Sequence, residues 1–163
     1  MNKNKIFEDL FVLEIANNHW GSVERGKKII HDYSRVIRHN NVKAAIKFQF
    51  RDVDSFIHPE FQDREDMRYV WKTKKTKLTE DQMSELVEFT RDQGMIPMAT
   101  CFDEKSVDLF EKLNLDIMKV ASSDINDWPL LEKIASIRKP TIVSSGGSSL
   151  KDVDDVVTFF NKR

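Results

Sequence analysis

Apolar runs that each break off in a compact polar cluster recur five times in this chain: FVLEIANNH at 11–19, AAIKFQF at 44–50, MIPMATCFD at 95–103, DIMKVASSD at 116–124 and PTIVSSGGS at 140–148. Segments of helical period separate them, so strands and helices alternate instead of forming separate blocks. Over 22–38, Val23, Ile29, Ile30, Tyr33, Val36 and Ile37 recur near 3–4 spacing, which predicts an amphipathic helix. Thr79-Glu80-Asp81-Gln82 has the form of a capping box ahead of an inner stripe of Met83, Leu86, Val87 and Thr90, with Gly94 placed to end that helix. A third helix is expected from about Asp103, carrying Val107, Phe110 and Leu113 and stopping at Asn114. A fourth is expected over Trp128–Ile137, with Pro129 in its first turn and Pro140 beyond its end. Ser148 or Ser149 is suited to cap a fifth, with Leu150, Val153, Val157 and Phe160 facing inward. Helices between short strands require crossover connections, hence parallel strands.

Polar residues recurring at the ends of parallel strands suggest one shared site, because a closed α/β barrel builds its active site there. The expected fold is α/β, a partial TIM (β/α)8 barrel of about five βα units. A complete barrel takes about 250 residues, so 163 residues with five strand candidates leave the remaining units to be found elsewhere. An open sheet of another kind is the alternative. Residues 51–78 exceed the usual connection of about 2–6 residues after a strand, which suggests a lid or binding loop as readily as a surface insertion.

Composition narrows the partners. With 26 basic and 27 acidic residues the net charge is −1, so no global field favours nucleic acid or an anionic membrane, and any anion site must be local. One cysteine, Cys101, excludes an internal disulfide framework and reads as a small buried residue. The N-terminus lacks a signal-peptide core, and no run approaches the ~20 apolar residues of a membrane span. A cytoplasmic protein is the expectation.

Several polar residues could carry chemistry. Lys47 and Lys119 each interrupt an apolar strand, where a lone buried ammonium is costly; each is expected to point into a polar cavity or to meet an anion. The alternative is a strand-end lysine reaching solvent or paired with Glu14 or Asp124. Thr100, Ser122, Ser123, Ser144 and Ser145 fall just past strands, and Ser144-Ser145-Gly146-Gly147 offers backbone amides near a helix start, or simply a turn. Glu14 and Asp124 could act as acid or base, bind sugar hydroxyls, or serve as caps. His19 suits a loop-structural role, and the remaining histidines lack metal-ligand spacing.

In order along the chain, Glu14-Ile15-Ala16-Asn17-Asn18-His19-Trp20-Gly21, Ile46-Lys47-Phe48-Gln49, Ala99-Thr100-Cys101-Phe102-Asp103, Lys119-Val120-Ala121-Ser122-Ser123-Asp124 with Pro129-Leu130-Leu131, and Lys139-Pro140 through Ser144-Ser145-Gly146 resemble the sialic acid synthase family. The resemblance implies condensation of phosphoenolpyruvate with an N-acetylated amino sugar or its 6-phosphate, releasing phosphate. It implies Lys47, Thr100, Lys119, Ser122 and Ser144 for phosphoenolpyruvate, with Gln49, Ser145 and Gly146 also binding substrate. Glu14 and Asp124 would face the sugar, and Glu14, Lys47, Lys119 and Asp124 form the expected catalytic set. Asp124 and Gly147 depart from the pattern, which has Glu and Met there. The family also implies a divalent metal, Mn or Mg, whose histidine ligands come from strands beyond the fifth, a C-terminal antifreeze-like domain, and a homodimer. On this resemblance residues 1–163 are the N-terminal portion of the barrel and contain no metal ligand. Two alternatives stand beside it: a Schiff-base aldolase using Lys47 or Lys119, and a non-catalytic truncated synthase acting as a binding or oligomerisation module.

Overall fold

A computed structural model describes residues 3–163. Five strands, β1 (Leu10–Glu14), β2 (Lys43–Phe50), β3 (Ile96–Cys101), β4 (Ile117–Val120) and β5 (Thr141–Val143), form one parallel sheet in the order β1-β2-β3-β4-β5. Each strand lies beside its successor in sequence, without the reversal of order that marks a doubly wound sheet. The helices α1 (Val23–Asn40), α4 (Glu80–Asp92), α5 (Glu104–Lys112), α6 (Trp128–Ile137) and α7 (Leu150–Asn161) connect or follow the strands. With the short helices α2 (Val53–Phe56) and α3 (Arg68–Lys75) in the β2–α4 connection, this is a partial (β/α)8 barrel.

Strand periodicity sorts the two faces. Ala44, Ile46, Phe48 and Phe50 of β2, Ala99 and Cys101 of β3, and Met118 and Val120 of β4 join the helices in one core. Phe48 and Phe50 are essentially fully buried, so truncating either to alanine should cost about 3–5 kcal/mol. On the other face Ala45, Met98 and Ile117 form a small second cluster, against which Ile6, Phe7, Leu10, Ile96 and Ile142 pack. Ile6 and Phe7 belong to a 3-10 turn (Lys3–Phe7), so the turn covers the lower part of this concave face. The upper part is polar.

Helix boundaries follow local chemistry. Thr79 Oγ1 accepts from the Gln82 amide while the Gln82 side chain accepts from the Thr79 amide, so the capping box closes in both directions. Ser149, not Ser148, caps α7, with Asp152 returning the bond. Asn114 adopts φ 50° and stops α5. Three expected inward positions are corrected: Val36 is 60%, Leu150 90% and Val157 51% exposed, and the buried positions are Gly26, Ile30, Ser34 and Ile37 in α1 and Val156 in α7. A 3.6-residue period makes neighbouring positions ambiguous near the edge of an apolar stripe. The 51–78 segment is also not simply a loop, since it holds α2, α3 and a 3-10 turn (Pro59–Phe61). Gly21 (φ 73°) anchors that segment: a Cβ there would lie 2.5 Å from the Lys75 carbonyl oxygen.

Candidate active site

Parallel register carries the polar residues onto one face at one end of the sheet. Glu14 lies opposite Lys47, Gln49 opposite Thr100, and Thr100 opposite Lys119. Ser144 continues the face one step past β5, where its hydroxyl accepts from Lys119 Nζ at 2.6 Å. These are the C-terminal strand ends, the face at which a (β/α)8 fold does its chemistry.

The two lysines differ in their surroundings. Lys47 is buried and its ammonium meets Glu14 Oε1 at 2.6 Å, with the carboxylate more than half exposed. Lys119 is half-buried and donates to Ser144 Oγ and to the Val120 carbonyl at 2.7 Å, with no carboxylate in contact. Burial, and then the neighbouring Lys47 charge, hold its pKa below the usual lysine value, against the opposing pull of Glu14 and Asp124. A second anion would relieve both penalties. Thr100 Oγ1, beside Lys119 in the register, is buried without a hydrogen-bond partner, as is Asp124 Oδ2; Asp124 Oδ1 accepts from Ser123 Oγ at 2.7 Å. Unsatisfied buried polar atoms at converging strand ends are the positions a ligand would complete.

The remaining expected residues divide. Ser122 is exposed in a 3-10 turn (Ser122–Asp124) and lies near Gly146, whose Cβ position would be 3.5 Å from that of Ser122. Ser145 lies apart: it lines an outer cavity with Val143, Val153 and Val156, on the helix side of the sheet. Its parity could have shown this, because Ser144 shares the face of Ile142 and Ser145 that of Val143. Gly147 (φ 77°) makes a turn, and α7 begins only at Leu150, so these glycines do not form the helix start itself.

A cavity of about 300 Å³ opens beside this cluster rather than at the lysine pair, sharing Gln49 with it and bounded by the β1 end (Asn17, His19), the 51–78 segment and α5. His19 is buried, its Nδ1 accepts from the Gly21 amide at 3.1 Å, and burial lowers its pKa, so it is a neutral structural imidazole. Cys101 is likewise buried, and burial raises its thiol pKa well above the usual value. Arg51, which no local pattern singles out, also lines the cavity, with its guanidinium packed against Phe56 and Phe102. Among the described residues no group of three or more His, Cys, Asp or Glu side chains could hold a metal ion, so no metal ligation is assigned to them. No described helix is long and apolar enough to cross a membrane.

Residues 39–163 match the NeuB family. The N-acetylneuraminate-9-phosphate synthase of Drosophila melanogaster is 28% identical over 166 aligned positions, covering 94% of this chain and 42% of that protein. The N,N'-diacetyllegionaminic acid synthase of Campylobacter jejuni is 26% identical over 159 positions, covering 94% of the chain and 47% of that protein. A crystal structure described as spore coat polysaccharide biosynthesis protein E, from Chromobacterium violaceum, superposes with a TM-score of 0.88 at 40% identity, over 93% of this chain and 45% of that one. The chain thus spans less than half the length of these relatives.

Proposed function

The chain belongs to the NeuB family, and from that premise we propose that its strand-end cluster binds phosphoenolpyruvate for condensation with an N-acetylated amino sugar and one water, which adds at C2 of the enol phosphate so that phosphate leaves, giving a nonulosonate and phosphate. The observation that carries this reading is the convergence of Lys47, Thr100, Lys119 and Ser144 on one face of the strand ends. Relatives named as N-acetylneuraminate-9-phosphate, legionaminic acid and pseudaminic acid synthases support the reaction class.

In this reading the chain's residues act by position and charge. Lys47 and Lys119 neutralise the phosphate and carboxylate, so that C3 of the enol can approach an aldehyde without building further uncompensated charge. Thr100 Oγ1, free of protein partners, donates to a phosphate oxygen, and Ser144 holds Lys119 in place. Glu14 and Asp124 face the acceptor and can accept from its hydroxyls or move a proton at the aldehyde oxygen. A divalent cation, Mn2+ or Mg2+, would polarise the aldehyde, held by ligands other than these residues. Phosphoenolpyruvate, pyruvate and inorganic phosphate titrated calorimetrically into the protein test the proposal. Tight binding of phosphoenolpyruvate alone is expected; equal affinity for pyruvate, or no binding, would overturn it.

The depressed pKa of Lys119 favours one second reading, a Schiff-base aldolase, since a neutral amine is the nucleophile. Against it, Lys119 donates to two oxygens, the behaviour of an ammonium. Borohydride trapping of pyruvate on Lys119 would establish this alternative.

A further inference from the structure

We propose that Arg51 is a positioning residue for Asp124: when an anion occupies the lysine pair, the Asp124 carboxylate turns to the Arg51 guanidinium, and that ion pair fixes it on the acceptor side of the site. The inference rests on the reading that Lys47 and Lys119 bind phosphoenolpyruvate, and it adds a residue that acts on the site through a neighbour.

Two complementary atoms stand unused on one face. Strand parity continues from Lys47 and Gln49 to Arg51, the first residue past β2, and from Thr100 to Phe102, the first past β3. Arg51 is half-buried as a residue, but its Nε is buried and bonded to nothing. Asp124 lies in the turn after β4, where Oδ1 accepts from the Ser123 hydroxyl at 2.7 Å and Oδ2 is buried without a partner. A buried donor on a cation and a buried acceptor on an anion each cost free energy until they are met, and these two can meet each other.

Elimination points the same way. Burial disfavours the Arg51 charge, while Asp103 and then Asp124 favour it. Both oxygens of Asp103 are engaged: Oδ2 accepts from the Asp52 amide at 2.8 Å, and Oδ1 accepts from the Ser106 amide at 2.7 Å where Asp103 caps α5. Asp52 is itself held by Lys105 at 2.5 Å. Of the two carboxylates that favour the Arg51 charge, Asp124 is the one with an oxygen free.

Arg51 also reaches in the required direction. Its guanidinium carbon lies 4.0 Å from the ring centroid of Phe56 and 4.2 Å from that of Phe102, so the side chain already extends from β2 to the end of β3. The next strand along the sheet is β4, two ladder spacings or about 10 Å from β2. Stacking occupies the faces of a guanidinium and leaves its edge, the donor fork that matches a carboxylate.

Lys119 is what withholds the pair in the free protein. Burial and the Lys47 charge disfavour that ammonium, whereas Glu14 and Asp124 favour it, so Asp124 is drawn towards the lysines. An anion bound between them cancels that attraction and repels the carboxylate. Turning to Arg51 relieves the repulsion and satisfies Nε and Oδ2 together.

The test is a double-mutant cycle read as phosphoenolpyruvate affinity by calorimetry, over the wild type, Arg51→Met, Asp124→Asn and the double variant. Arg51→Met should weaken binding about 5–20-fold when Asp124 is present, because the carboxylate is left facing the anion, and less than about twofold beside Asp124→Asn. Arg51→Lys, which keeps the charge without the fork, should restore part of the affinity. An equal loss in both backgrounds would make Arg51 a direct ligand of the anion, and no loss in either would make it only a clamp on the 51–78 segment; both results overturn the inference. A second measurement leaves Arg51 in place. In protein carrying nitrogen-15-labelled arginine, phosphoenolpyruvate should slow solvent exchange of the Arg51 Nε proton at least about tenfold, and should not do so in Asp124→Asn. Unchanged exchange in the wild type, or equal slowing in Asp124→Asn, overturns the pairing even if Arg51→Met does not fold. Failure of phosphoenolpyruvate to bind the wild type would strike the synthase reading instead. Inorganic phosphate, taken through the same cycle and exchange measurement, then decides the pairing, and no response to either anion overturns both.

Discussion

Lys119→Met separates what the fold needs from what the ligand needs. In the free protein Lys119 is a half-buried ammonium beside Lys47, and both burial and that neighbour disfavour its charge. Methionine keeps most of the side-chain volume and removes the charge. The two acceptors left behind are inexpensive: the Val120 carbonyl keeps its bond from the Ser144 amide at 3.1 Å, and the Ser144 hydroxyl is open enough for water to replace the lysine. Stability should therefore hold or rise by up to about 1 kcal/mol, a Tm change between 0 and about +4 °C for a chain of this size. Anion binding should move the other way. Losing one charge-assisted interaction removes about 1.5–3 kcal/mol, weakening phosphoenolpyruvate about 10- to 150-fold. Differential scanning fluorimetry and calorimetric titration read the two quantities on the same sample. A Tm fall beyond about 4 °C would make Lys119 a structural residue, and affinity within twofold of wild type would remove it from the site; either result refutes the reasoning.

Further outcomes follow from the same geometry. Glu14→Gln breaks the 2.6 Å pair with Lys47, but because the carboxylate is 56% exposed its cost should be about 1 kcal/mol, near that of a surface pair. Freed of its competitor, Lys47 should bind phosphoenolpyruvate about fivefold more tightly by calorimetry, and unchanged affinity would argue against Lys47 as a ligand. Phosphoenolpyruvate binding should take up protons at alkaline pH, because the free Lys119 pKa lies below the ordinary lysine value and a bound anion raises it again. Affinity should thus fall as pH rises through the free-state pKa, and titrations in buffers of different ionisation enthalpy would show no uptake if the lysine is not involved. Gly21→Ala puts a Cβ at positive φ and 2.5 Å from the Lys75 carbonyl, costing at least about 1–3 kcal/mol. Hydrogen exchange should quicken at 68–77, and unchanged exchange there would mean that Gly21 does not hold the segment.

What was legible in the sequence was whatever a single element reports about itself. The five strands announce themselves by composition, and the α4 start, the Asn114 stop and Pro129 in the first turn of α6 are local stereochemistry that tertiary context did not override. The helices in 51–78 were not legible, because elements of four to eight residues offer barely two turns in which a period can show. Ser144 and Ser145 look alike as hydroxyls just past a strand, although a period of two assigns them to opposite faces. Arg51 had no local signal at all. Its environment is made by Phe56, by Phe102 from the connection after β3, and by Lys77 and Lys105, which come from distant positions to pair with Asp54 and Asp52, and contacts of that kind leave no signature in a local pattern.

Sheet position also divides the site by rigidity. Lys47, Thr100 and Lys119 stand on β2, β3 and β4, each hydrogen-bonded to strands on both sides, whereas Glu14 ends β1 and Ser144 follows β5 at the sheet's two edges. An interior strand moves only by breaking two ladders, so the anion-binding centre is set before a ligand arrives, and little binding energy is lost in ordering it. The edges are less constrained, and β1 leaves Phe11 56% and Val12 39% exposed, apolar surface on a strand paired on one side only among the described residues, which favours association. Whatever covers those edges will fix Glu14 and Ser144, and through their 2.6 Å contacts it will tune Lys47 and Lys119. Pairing at the edges and anion affinity at the centre are therefore linked. Phosphoenolpyruvate should stabilise the associated form, and light scattering with and without the ligand measures that linkage, which an unchanged mass distribution would deny.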